Sequence, residues 1–386
     1  MYLAVLGRQK EISIAELEAL YGKVKEIGEG LAGFDSDTQP DIIRLGGSLK
    51  LAEKLSIKPL EFLSKIPDGK ITLGVSDYSN HASKKSAIYE ALKLKKILTR
   101  HGRSVRVVEN KDAALSTATS LHNGLSGKNE RKVELIKVNE EWYRVIGVQD
   151  IDAYAKRDQA RPARDAKVGM LPPKLAQILI NLCGNLPEDS TVLDPFCGTG
   201  VVLQEASLMG YQAYGTDVDE RMVKYTDTNL KWLFSEHCDQ RGASTSEPRN
   251  DGRERGGEEN SHFRVSAGDA TSFTWQQPID AVACEGYLGK PMSMVPPEIK
   301  LKTEKQECKA IILGFLKNLA GQIQTDTPVV VACPAWLREN GTYARLEILD
   351  EISKMGYNVN NKSREGLIYH RDGQIVARDI IILRKK

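Results

Sequence analysis

From Leu171 onward the chain alternates between two hydrophobic periods. Short apolar runs suited to buried parallel strands fall at 191–195, 211–217, 263–267, 279–284 and 328–333. Between them, apolar residues three and four apart predict helices at 173–182, 201–209, 220–234, 298–322 and 343–354. An antiparallel pair, 366–370 with 375–383 and turned at Asp372-Gly373, closes the pattern. Strands and helices in this order predict a doubly wound α/β sheet whose last strand is reversed. The stretch 238–261 is nearly free of large apolar residues, cannot bury a core, and is expected to be a disordered insertion.

The first 170 residues show the same alternation in smaller units. Residues 1–60 predict a small α/β unit with a strand at 2–7, a helix capped at Ser13, a strand at 41–45 and a helix at 48–55. Residues 61–155 predict a second, with a strand in ITLGVSDY and an amphipathic helix from Ser83 to Arg100. A strand at 104–108, a helix at 113–121 and strands at 133–138 and 142–148 complete it. Pro162 discourages helix in residues 156–170, which read as an Arg-rich linker into the unit 171–386. That linker is open to three readings: a disordered tether, a phosphate-contacting segment or an interdomain ion-pair hinge.

Composition narrows the function classes. A chain of 386 residues exceeds the usual size of one core, and 41% hydrophobic with 27% charged residues is ordinary for a soluble protein. No apolar run approaches the roughly 18 residues of a membrane span, and MYLAVLGRQKEIS lacks the form of a secretory signal, so a cytoplasmic protein is expected. Six cysteines without a CxxC pair fit reduced thiols better than a zinc site or a disulfide framework, and no metal is expected. The net charge of +2 conceals an excess of seven positive charges in residues 61–170, against −1 before and −4 after. Lys93, Lys96 and Arg100 share an outward helix face, Arg103 and Arg106 follow, and Arg157, Arg161 and Arg164 crowd the linker. These eight are the candidate phosphate contacts, with an ordinary solvated surface as the alternative.

The candidate chemistry lies in TVLDPFCGTGVVLQEASLMGYQAYGTD, residues 191–217. It predicts a strand, a glycine-rich turn at Gly198 and Gly200, a helix, and a second strand closed by Asp217, 19 residues after Gly198. A carboxylate at that place can accept both hydroxyls of a ribose. The turn lacks the three glycines of a dinucleotide fingerprint. DPFCGTG instead resembles motif I of S-adenosylmethionine-dependent methyltransferases acting on exocyclic amino groups of nucleobases. On that resemblance Phe196, Gly198, Thr199 and Gly200 wrap the amino-acid end of the cofactor, Asp194 helps hold its ammonium, and Asp217 with Val218 meets the ribose. Asp269, with Ala270, is expected at the adenine, and Asp219 is expected to be solvated or helix-capping.

The substrate end is expected after the fourth strand, in IDAVACEGYLG. Amino-group methyltransferases usually carry Asp or Asn, Pro, Pro and an aromatic residue there. This chain has Cys284, Glu285, Gly286 and Tyr287. Tyr287 keeps the stacking role, Cys284 is a weak acceptor, and Glu285 serves as acceptor if Gly286 lets the loop take another path. The alternatives are action on a different atom or base, or binding without methyl transfer.

Taken together, MYLAVLGRQKEISIAELEAL, GGSLKLA, YAKRDQARPARDAKVGMLPPKLAQILINL, DPFCGTG with GTDVD, and YHRDGQIVARDI resemble the THUMP-domain tRNA guanine-N2-methyltransferases. The resemblance implies a class I methyltransferase (Rossmann-like) sheet preceded by a ferredoxin-like domain and a THUMP domain that grips tRNA. It also implies S-adenosyl-L-methionine as cofactor, with Met170 and Pro172 touching its amino-acid end. A DNA amino-methyltransferase and an RNA-binding protein with an altered cofactor domain remain the alternatives, and nothing in the sequence sets the oligomeric state.

Overall fold

Chain contacts in the computed structural model divide the protein into two units, Met1–Ala155 and Lys156–Lys386. The structure describes residues 1–165, 170–237, 263–276 and 278–386; the expected insertion 238–261 lies outside them.

In the first unit, β1 (Tyr2–Leu6), α1 (Lys10–Tyr21), β2 (Val24–Gly28), β3 (Leu31–Phe34) and β4 (Ser48–Lys54) are followed by α2 (Pro59–Ser64) and β5 (Ile71–Asp77). Then come α3 (Lys84–Arg100), β6 (Val105–Val107), α4 (Thr117–His122), β7 (Lys132–Val138) and β8 (Glu141–Val148). Among the described residues these strands form one sheet in the order β2-β3-β1-β4-β8-β7-β5-β6. β4 runs antiparallel to β8, with Lys50 opposite Val148 and Lys54 opposite Tyr143. The boundary expected at residue 60 therefore falls within a continuous hydrogen-bonded sheet.

Two local expectations are reversed. The stretch 48–55, read as helix, is strand β4, and 41–45, read as strand, contains a 3-10 turn at Ile42–Arg44. The apolar spacing of Leu51, Ala52 and Leu55 suits a helix, and the strand period was hidden by Lys50, which is 2% exposed. Its ammonium lies 2.5 Å from Glu134 and donates to the Leu115 carbonyl at 2.7 Å and the Ser120 hydroxyl at 2.9 Å. Glu134 also accepts from Ser76 and Ser120, each at 2.6 Å. Burial of this cation is possible because every charge has a partner.

Helix α1 begins at Lys10 instead of being capped at Ser13, whose hydroxyl donates to the Gln9 carbonyl. The same helix carries Glu16, which accepts from the amides of Gly46 and Gly47 at 2.9 and 2.8 Å. A Cβ at Gly47 would stand 2.8 Å from the Ser13 hydroxyl oxygen, so the close approach needs glycine.

α5 (Ile151–Gln159) leads into the second unit, where α6 (Pro173–Asn181), β9 (Thr191–Asp194), α7 (Val201–Leu208), β10 (Gln212–Asp217) and α8 (Glu220–His237) follow. After them come β11 (Phe263–Ala267), β12 (Ala281–Glu285), α9 (Glu298–Ala320), β13 (Pro328–Leu337), β14 (Tyr343–Ala344) and α10 (Leu349–Lys354). β15 (Tyr357–Val359), α11 (Asn361–Glu365), β16 (Ile368–Tyr369) and β17 (Val376–Lys385) end the chain. The order is β11-β10-β9-β12-β13-β17-β15, with β14 and β16 off this path. The first five strands are parallel, and β17 is antiparallel to both β13 and β15. This is the doubly wound sheet with a reversed last strand that the sequence predicted. The helix expected over 343–354 is confined to its second half, behind β14.

Ile312, Phe315 and Leu316 of α9 pack with Val282, Val331 and Trp336 in a core where each is at most 1% exposed. The order in which strands are added reverses between the parallel neighbours β9 and β12, and the crevice beyond their carboxyl ends is where open α/β sheets bind ligands. No helix among the described residues is long and apolar enough to cross a membrane.

Candidate active site

A cavity of about 430 Å³ opens over the carboxyl ends of β9, β10 and β12. Its floor is the turn from Asp194 to Gly200, which leads into α7. Gly198 has φ +51° and Gly200 φ +83°, backbone that glycine adopts without strain. A Cβ on Gly200 would also come within 2.8 Å of Thr226. Two residues of α8 hold the turn from behind: the Thr226 hydroxyl donates to the Gly198 carbonyl at 2.7 Å, and the Asn229 amide to the Thr199 carbonyl at 2.8 Å.

Asp217 is docked directly on this turn. One carboxylate oxygen accepts from the Gly198 amide at 2.9 Å, the other from the Asp219 amide at 2.9 Å. Each oxygen has a second lone pair, so the group can still accept from a diol in the cavity. Asp194 is 2% exposed and accepts from the Phe196 amide at 3.1 Å. Burial raises its pKa well above the ordinary carboxylate range, and the nearby charges of Asp217 and Glu285 raise it further. Burial likewise pushes Asp217 upward, against the pull of its backbone hydrogen bonds. Three carboxyl groups thus face one another at the cavity, an environment that a positively charged ligand relieves.

At the other wall, Glu285 ends β12 and Tyr287 begins the following loop; both line the cavity. The Arg378 Nε donates to Glu285 at 2.8 Å, with side-chain exposures of 5% and 15%. Burial raises the Glu285 pKa, opposed by Arg378 and then Arg371. Tyr287 donates to Glu307 of α9 at 3.2 Å, and its phenol is pushed up to about 12, first by burial. Gly286 keeps the strand register by donating to the Ala332 carbonyl at 3.0 Å, so Glu285 reaches the cavity without a detour there. The left-handed turn comes later, at Gly289.

The cavity brings together Met170, Asp194, Phe196, Gly198 and Thr199 with Asp217, Val218, Glu285 and Tyr287. Five expected residues do not line it. Cys284 points into the core at 0% exposure, where burial raises its thiol well above the ordinary value. Gly200 lies behind the turn, as the N-cap of α7. Pro172 is the N-cap of α6, and its neighbour Leu171 lines the wall instead. Asp269 is exposed, with its carboxylate accepting from the Thr271 amide and hydroxyl at 2.8 and 2.7 Å, which lowers its pKa. Ala270 beside it is buried in the core.

Asp219, expected in solvent or as a cap, lines the cavity and also accepts from the Arg221 amide at 2.8 Å. Leu288, Gly289, Lys290 and Pro291 line it too and were not anticipated. Thr226, Asn229 and Arg378 were also missed, because each acts on a residue at least 28 positions away in sequence.

The candidate phosphate contacts divide by burial. Arg157 forms a two-bond pair with Glu205 at 2.7 and 3.2 Å, the side chains being 11% and 1% exposed. The Arg161 side chain is fully buried, 3.5 Å from the Thr199 hydroxyl and 3.7 Å from Asp158. Ala163 exchanges two hydrogen bonds with Asn229, at 3.0 and 2.9 Å. These contacts tie the linker, as far as Asp165, to the elements of the second unit, and bury the side chains of Arg157 and Arg161. In the first unit Arg103 is largely buried and bonded to the Ile66 and Pro67 carbonyls. Lys93, Lys96, Arg100, Arg106 and, in the second unit, Arg164 are exposed. Among the described residues, no cluster of His, Cys, Asp and Glu could hold a metal ion.

Residues 161–238 match the UPF0020 family model, described as an RMKL-like methyltransferase domain. Over 76 residues the chain is 47% identical to the tRNA (guanine(10)-N2)-dimethyltransferase of Methanothermobacter thermautotrophicus, covering 19% of this chain and 22% of that protein. Over 245 residues it is 27% identical to the protein of the same name from Methanocaldococcus jannaschii, covering 58% of this chain and 69% of the relative. The match thus spans about a fifth of the first relative's length and about two thirds of the second's. Among solved structures, TrmN from Thermus thermophilus aligns over 100% of this chain and 99% of its own, at 17% identity and a TM-score of 0.47.

Proposed function

We propose that this protein is an S-adenosyl-L-methionine-dependent methyltransferase that modifies tRNA at the exocyclic N2 amino group of a guanosine. The observation that carries the reading is the 2.9 Å bond between the Gly198 amide and Asp217, in the same cavity as Glu285 and Tyr287. The residues present fit the cofactor. Asp217 offers lone pairs to ribose hydroxyls, and Asp194 offers a buried carboxylate to the ammonium. Repulsion of Asp194 by Asp217 and Glu285 favours a ligand that carries positive charge.

When bound, the cofactor supplies a methyl group made electrophilic by its positively charged sulfur. The protein's own work is placement: Tyr287 offers a ring face to the base, and Glu285 accepts a hydrogen bond from the amino group and holds its nitrogen in line. Methyl transfer to the nitrogen, with the S–C electron pair kept by the departing thioether, would leave the nitrogen one proton to give up. Glu285 is the group placed to take that proton. The first unit, read as the ferredoxin-like and THUMP portion, presents tRNA through the exposed face of Lys93, Lys96 and Arg100.

Purified protein given labelled cofactor and bulk tRNA should transfer label, with N2-methylguanosine appearing among the digested nucleosides. Asp217→Ala should weaken cofactor binding by about 10- to 100-fold in calorimetry, the scale of lost hydrogen bonds to a charged group. No label in any RNA, or unchanged cofactor affinity in the variant, contradicts the reading. Label in duplex DNA in preference to tRNA redirects it to a DNA amino-methyltransferase.

A further inference from the structure

Arg378 belongs to YHRDGQIVARDI, a stretch that the proposed chemistry has so far left without a task. It stands on β17 opposite Pro334, two residues past Ala332, and Ala332 is the β13 partner of Glu285. The arginine side chain therefore reaches across the end of β13 to the last residue of β12. There its Nε meets the Glu285 carboxylate at 2.8 Å, while Nη1 meets the Gln374 side-chain oxygen at 3.2 Å. On the other face of the strand, Asp379 pairs with Arg345 at 2.7 Å, which fixes the direction in which Arg378 points.

We propose that Arg378 is a positioning residue that holds the Glu285 carboxylate aimed into the cavity, so that it can receive the amino hydrogens of the base. The inference rests on the methyltransferase reading of the cavity. The Cys-Glu-Gly-Tyr loop has an acceptor one place later than amino-group methyltransferases usually carry it, and a glutamate is longer and less constrained than an aspartate. A guanidinium anchored by Gln374 supplies the missing constraint. The charged groups acting on Glu285 are Arg378 of β17 and Arg371 from the turn before that strand, and Glu285 in turn raises the pKa of Asp194 of β9 and of Cys284 on its own strand. Burial favours the protonated form of Glu285. Arg378 is the principal group favouring the anion, and its loss moves protonation of Glu285 to higher pH.

The test uses the full chain, tRNA and cofactor, with Arg378→Gln and the conservative Arg378→Lys. The glutamine variant should lower kcat at neutral pH by roughly 10- to 100-fold, the usual effect of removing a group that orients an active-site ligand. Its KM for cofactor should stay within about twofold, and the acid limb of its kcat profile should move upward, with rate recovering as pH rises. The lysine variant should return the limb close to its original place. A glutamine variant whose profile runs parallel to the wild type, or whose rate lies within twofold of it, overturns the proposal.

Carbon-13 NMR titration of the Glu285 carboxyl gives a second readout that needs no turnover. It should show a higher pKa in Arg378→Gln than in wild type, and equal values overturn the proposal even if both proteins fold alike. If wild-type protein methylates no RNA, the methyltransferase reading has failed, and the titration alone then decides whether Arg378 sets the charge of Glu285.

Discussion

Each unit of the molecule holds a buried ion pair, and the two differ in what surrounds them. Lys50–Glu134 in the first unit is closed: at 2% and 0% exposure, its charges are met by two serine hydroxyls and a backbone carbonyl. Glu285–Arg378 in the second unit, at 15% and 5%, stands at a cavity wall beside two further carboxyl groups. The chemistry of the pairs is similar, and enclosure separates their roles. A pair whose hydrogen-bonding capacity is filled by the protein fixes structure. One that faces a cavity, with a raised carboxyl pKa and repelling neighbours, is prepared to act on a ligand.

Substitutions in the two pairs should therefore diverge. Lys50→Met strands Glu134 in the core and should cost about 3–5 kcal/mol, lowering the melting temperature of the first unit by on the order of ten degrees. Replacing both partners by apolar residues should recover most of that loss. A melting temperature for Lys50→Met within about two degrees of wild type breaks the comparison.

Glu285→Gln keeps an oxygen for Arg378, so thermal stability should hardly change while kcat falls by about 10²-fold or more. Loss of stability comparable to that in Lys50→Met would make Glu285 structural too.

The smallest effect concerns Asp194. Its raised pKa extends the protonated form to higher pH in the empty site, and a bound cation favours the deprotonated form. Cofactor binding should therefore release protons, and affinity should rise with pH above the ordinary carboxylate range by a few-fold, up to a limit of tenfold per unit. Calorimetry in two buffers of different ionisation enthalpy reads this directly, and identical heats in both contradict it.

What could be read locally in the sequence is where residues act on near neighbours. The helix read as running from Ser83 to Arg100 is α3, with Ser83 as its cap, the side chain accepting from the Ser86 amide. The positive charge of Arg157 and Arg161 was equally visible, but its purpose was not. Glu205, which neutralises Arg157, lies 48 residues away, and a count of charges carries no information about such a partner. Lys50 failed for the same reason: a hydropathy pattern assigns lysine to solvent until the carboxylate that buries it is known.

The sequence by itself determined the doubly wound sheet, the glycine turn and the carboxylate at the end of the second strand. Strand, turn, helix and strand there are consecutive, and their periods and φ requirements are local. Only the tertiary structure decided that residues 1–60 and 61–155 share one sheet, that Cys284 faces the core while Glu285 faces the cavity, and that Arg378 stands behind it. Each of those depends on strand order and on which residue lies opposite which. These are set by long-range burial and hydrogen bonding between segments tens of residues apart.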